Sequence, residues 1–94
     1  MKVKLFFFAT YRNLVGERLI ELDVPAHTTV QAVINQFLET YPQMRLHWCD
    51  QDGQLMPHLF VILNKQDVSS LPDGLETTLQ PGDELDFVPP VGGG

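Results

Sequence analysis

The chain has 94 residues, 44% of them hydrophobic and 19% charged, with a formal net charge of −6. That length suits one domain with one modest core, no apolar run approaches the ~20 residues of a membrane helix, and the acidic balance disfavours nucleic acid and points to partners with basic patches. The single cysteine, Cys49, excludes an internal disulfide and fits a cytoplasmic setting.

The opening MKVKLFFFAT has a basic start and a short apolar run, but it alternates like a strand and meets no small-residue cleavage site, so it does not read as a signal peptide. In VKLFFF, Val3, Leu5 and Phe7 alternate with Lys4, Phe6 and Phe8, which predicts a strand with apolar side chains on both faces. One face fills a core and the other argues for contact. Thr10 to Val15 predicts a short helical turn stopped by Gly16. RLIELDV then places Ile20, Leu22 and Val24 on one side of a half-buried strand, with Glu21 and Asp23 on the other.

TTVQAVINQFLETYP carries a helix signature. Val30, Val33, Ile34, Phe37, Leu38 and Tyr41 recur at helical spacing, Thr28 with Gln31 predicts a capping box, and Pro42 marks the stop. MRLHWC is ambiguous. Asp52-Gly53 marks a turn, HLFVILN reads as a buried strand, and NKQD is a second turn. Val68 to Leu79 reads as irregular, with a short strand near Thr77. Pro81-Gly82-Asp83 is a turn signal before a last strand, ELDFV, in which Leu85 and Phe87 face one way and Val88 the other. One long helix against a mixed sheet of four or five strands makes the fold α+β.

The chain closes on PPVGGG. Glycines have no side chains to bury and maximal backbone entropy, so this end adds nothing to a core. They lack Cβ and reach backbone angles closed to other residues, which lets such a tail thread a narrow channel. Pro89 and Pro90 hold the exit extended, favouring projection away from the sheet.

Taken together, FFATYRNLVG, LNKQDV and GDELDFVPPVGGG resemble the ubiquitin-like sulfur carriers of the β-grasp fold. That group includes the small subunit of molybdopterin synthase, the thiamine-pathway carrier, the carrier that feeds a cysteine-synthase-like enzyme, and the small archaeal modifiers. The first strand and Arg12 look most like the molybdopterin synthase subunit, whereas HLFVILNKQDV and GLETTL look at least as much like the cysteine-type carriers and archaeal modifiers. The resemblance implies a β-grasp domain over residues 1–88 and a glycine tail over 89–94. It also implies adenylation of the terminal carboxyl by an ATP-dependent activating enzyme, with no cofactor bound to the carrier itself. A sulfurtransferase then supplies sulfur, giving a thiocarboxylate that a large synthase subunit or another acceptor enzyme consumes. In this scheme Gly94 carries the reacting carbon, with Gly93 beside it. Phe8, Arg12, Val88, Pro89, Pro90, Val91 and Gly92 make the partner contacts.

Two departures stand out. The carriers typically end in two glycines and this chain has three, which lengthens an extended tail by about 3.3–3.6 Å; the third is native, trimmed to leave Gly93 terminal, or added. Asp67 stands where the molybdopterin-type subunit tends to be apolar. Other chemistry is poorly supported: His27, His47, His58 and Cys49 lack the spacing of a metal motif, and Asp50-Gln51-Asp52-Gly53 lacks the distant Glu of a calcium loop. Cys49 and Trp48 read as packing residues. The reading from another class is a ubiquitin-shaped binding module with an inert tail.

Overall fold

The computed structural model describes residues 1–90. Its elements are β1 (Lys2–Phe7), α1 (Ala9–Val15), β2 (Leu19–Asp23), α2 (Val30–Thr40), α3 (Arg45–Trp48), β3 (Phe60–Leu63), β4 (Gln66–Asp67) and β5 (Glu84–Val88), with single 3₁₀ turns at Pro42–Met44, Val68–Ser70 and Gly74–Glu76. The strands form one sheet in the order β2-β1-β5-β3-β4. β1 and β5 run parallel at its centre, and the other neighbouring pairs are antiparallel. With α2 packed across one face, this is the α+β, β-grasp architecture expected from the sequence.

The period-two pattern of β1 turns directly into burial. Val3, Leu5 and Phe7 are within 1% of complete burial, and the five buried apolar residues of α2, Val30, Val33, Ile34, Phe37 and Leu38, are within 2%. Aromatic rings form the centre of the core: Phe7 stacks on Phe37 at 5.0 Å, and Trp48 lies 5.2 Å from Phe37 and 4.7 Å from Phe87 between ring centroids. The ambiguous MRLHWC segment thus resolves into a helical turn that delivers Trp48 to the core. Its indole Nε1 is buried without a hydrogen-bond partner.

Several local expectations need correction. The residue that caps α2 is Thr29, whose side-chain oxygen accepts the Ala32 N–H at 3.1 Å; Thr28 instead donates to the Pro25 carbonyl at 2.6 Å, and Gln31 donates to Asn35 rather than reaching back. Two adjacent threonines offer the same chemistry, and the path of the preceding loop selects between them. β1 ends at Phe7, because Phe8 serves as the extended residue before α1. β3 is shorter than HLFVILN. The turn expected over NKQD narrows to Asn64 and Lys65, both at positive φ, +47° and +75°, the primed geometry that matches strand twist, while Gln66 and Asp67 pair with β3 as β4. In place of a strand near Thr77, Thr78 makes an isolated bridge with Thr29. The two glycine stops behave as expected: Gly16, at φ +86°, donates to the Arg12 carbonyl and ends α1, and Gly82, at φ +81°, closes the turn into β5.

Candidate functional site

The alternation that buries one face of the sheet leaves the side chains of the other half-buried or exposed among the described residues. On β1 and β5, which run in parallel, Phe6 lies opposite Asp86 and the following Phe8 comes alongside Val88. On the antiparallel flanks, Leu19 opens β2 opposite Phe6, and Phe60 opens β3 opposite Val88. Four strands therefore bring apolar side chains to the same end of the outer face. Leu19, Phe60 and Phe8 remain 40%, 39% and 43% exposed, and unlike the exposed Leu14 and Leu46 on the helices they gather at one end of the sheet. The opposite end of the same face is charged: Lys4 sits between Glu21 and Glu84, and Lys2 lies opposite Asp23.

The apolar end is the end from which the tail leaves. Val88 is the last residue of β5, and Pro89 and Pro90 follow it directly. On their other side the two prolines border an open hollow of about 610 Å³ lined by Ala9, Thr10, Tyr11, His47 and His58. The His58 Nε2–H donates to the His47 carbonyl at 3.1 Å, which fixes the loop before β3 against α3. Ala9 adopts φ +52°, a strained angle for a residue with a Cβ, at the step from Phe8 into α1. The structure thus brings Phe8, Val88, Pro89 and Pro90 together. Arg12 lies exposed on α1 and lines a separate shallow depression with Asn13, Gly16, Glu17 and Arg18. The expectations for Val91, Gly92, Gly93 and Gly94 lie outside the described residues.

Sequence reasoning missed Leu19, Phe60 and Ile62 as parts of this face. The signal was present in each strand as an apolar residue on the outward phase, but which strand ends meet depends on sheet order. It also missed Asp86, half-buried among them. Burial pushes the Asp86 carboxyl up from its ordinary range, with Lys65 pulling it down and Glu84 raising it further.

Elsewhere the chemistry is structural. Cys49 is buried, and burial pushes its thiol up against a lowering by Arg45, so it is held as a thiol, not a thiolate. Asp50 accepts the N–H groups of Asp52 and Gln54 through Oδ1 and builds a turn. Among the described residues no group of three His, Cys, Asp or Glu side chains is placed to hold a metal ion, and no helix is long and apolar enough to cross a membrane.

Comparison with known proteins decides the family. The ThiS family model matches residues 5–94. This chain belongs to the ThiS family. Its members are ubiquitin-like sulfur carriers and modifiers. The ThiS-family chain is 36% identical over 94 residues to small archaeal modifier protein 3 of Haloferax volcanii, covering 100% of both. It superposes on the crystal structure of SAMP1 from the same organism with a TM-score of 0.87 at 26% identity, covering 100% of each chain. Against the Amycolatopsis orientalis BexX/CysO complex the TM-score is 0.78 at 25% identity, covering 98% of this chain and 99% of the other.

Proposed function

We propose that this ThiS-family chain is a sulfur carrier whose Gly94 carboxyl is adenylated by an ATP-dependent activating enzyme and then converted to a thiocarboxylate. The observation that carries the reading is the convergence of an exposed apolar sheet end on the root of a tail made of residues with nothing to pack. A partner seated on that face receives the tail in one defined direction, and the family match runs on through Gly94.

The chemistry follows from the leaving group. A carboxylate exchanges oxygen poorly because oxide would have to depart. A free α-carboxyl, with an ordinary pKa of about 3.3–3.7, is ionised at neutral pH. One of its oxygens attacks the α-phosphorus of ATP and pyrophosphate leaves, giving a mixed anhydride. Hydrosulfide or an equivalent sulfur donor, delivered by a sulfurtransferase, then attacks the carbonyl carbon; AMP leaves with the bridging oxygen, a proton is released, and a thiocarboxylate remains. Bare glycines admit the carbonyl to the partner's catalytic groups, and the domain supplies address and orientation.

A molybdopterin precursor, held by a large synthase subunit, is the acceptor that FFATYR and PPVGG support. The full-length similarity to a small archaeal modifier protein favours a second reading, in which the same adenylate is passed on for conjugation to other proteins. That a CysO chain of this fold is known in a complex with a second protein supports docking in either case.

The test is intact mass. Incubation with activating enzyme, ATP and a sulfide source is expected to exchange one oxygen for one sulfur, and deletion of Gly93 and Gly94 is expected to abolish the exchange with the unfolding midpoint unchanged. An unaltered mass beside a demonstrably competent enzyme would instead support a binding module with an inert tail.

A further inference from the structure

Asp86 sits inside the apolar end of the sheet face, half-buried and with no hydrogen bond or ion pair among the described residues, Lys65 being the positive charge that acts on it. Directly across from it stand Phe6 on β1 and Ile62 on β3, and on its own strand the next residue of the same face toward the tail is Val88. The charged groups around it are Glu84 two residues back on β5, Lys65 at the β3–β4 turn, Asp67 across Ile62 on β4, and Lys4 opposite Glu84 on β1. Among the described residues none of these makes an ion pair or hydrogen bond with the Asp86 carboxylate; the salt bridge present joins the Met1 amino group to Asp23. The half-buried carboxylate keeps access to solvent while the face is open.

Covering the face removes that water. An apolar surface that fits Phe8, Phe60, Ile62 and Val88 strips the carboxylate at the same time, and an ionised group desolvated without a partner outweighs the gain from several apolar contacts. A guanidinium that reaches it converts the loss into a charge-assisted, bidentate contact. We propose that Asp86 is the specificity-determining residue of this face: it rejects wholly apolar surfaces and selects a partner that brings an arginine into the apolar patch beside the tail root. The inference rests on the carrier reading, in which that partner is the activating enzyme. The net charge of −6 agrees with a basic visitor.

The experiment measures pyrophosphate exchange into ATP, catalysed by the activating enzyme of the same organism, as a function of carrier concentration. Four full-length carriers are compared: wild type, Asp86→Asn, Asp86→Arg and Glu39→Arg, the last placing the same charge change as Asp86→Arg at an exposed position of α2 in the opposite layer. Asp86→Asn is expected to raise KM roughly thirtyfold or more and Asp86→Arg further, with kcat nearly unchanged, because docking is weakened and the tail is intact. Glu39→Arg should match wild type, and added salt should weaken wild type more than Asp86→Asn. Unchanged or lower KM for Asp86→Asn, or wild-type binding that tightens toward acid pH, would show that the carboxyl docks neutral and would overturn the proposal. Equal losses for Asp86→Arg and Glu39→Arg would reduce it to overall charge and overturn it as well. Should wild type give no exchange with a competent enzyme, the carrier reading fails first and takes the inference with it.

Discussion

A carboxylate placed among phenylalanine, isoleucine and valine works against the fold that holds it. Burial raises the Asp86 carboxyl above its unfolded value, so the folded state binds its proton more tightly than the unfolded chain does. Stability therefore falls as pH rises from the ordinary carboxylate range through the raised value, and above that value the fold carries the whole penalty. Asp86→Asn is expected to raise the urea midpoint at neutral pH and to leave it unchanged in acid below the ordinary range. Equal gains at both pH values would place the effect elsewhere. The same substitution is expected to stabilise the domain and weaken its docking, a trade common where a site is kept polar for use. ELDFV disclosed the phase of Asp86 on β5. Its neighbours became visible only when β1 and β3 were placed on either side.

Among the elements, α2 depends on its amphipathic stripe and on one capping oxygen. Thr29→Ala is expected to cost about 1 kcal/mol, since the Ala32 N–H loses its acceptor. Thr28→Ala removes only a contact to the Pro25 carbonyl and is expected to cost less. Paired urea unfolding curves decide the order; a larger loss at Thr28 would restore the capping box read from TTVQ. The central element pair is β1 and β5. Their parallel alignment sends Phe6, Phe8, Val88 and the two prolines to one end of the sheet, so a strand pairing built from residues 80 positions apart assembles the tail root.

At the scale of the whole molecule, one face of the sheet is buried in the core and the other is left partly exposed. The α2 face is closed by aromatic stacking, while the other leaves Leu19, Phe60 and Phe8 exposed beside the tail root, where the proposed partner would land. Phe8→Ala and Phe60→Ala remove side chains from that surface without opening the core. Each is expected to change unfolding free energy by no more than about 0.5 kcal/mol and to weaken partner docking about tenfold. Chemical denaturation and a KM measurement in the activation assay check the two halves separately. A large loss of stability with unchanged KM would make these residues structural.

The order of elements, the helix, the glycine stops, the buried phase of each strand and the tail's lack of packing groups could all be read from the residues alone. Each is set by local periodicity, turn geometry or the presence of a Cβ, and these act over a few positions. What needed three dimensions was the meeting of Phe6, Ile62 and Val88 around Asp86, with Leu19 and Phe60 on the flanking strands. Each strand shows its outward residues, but the order β2-β1-β5-β3-β4 decides which become neighbours, and that order is selected by closing one common core under α2.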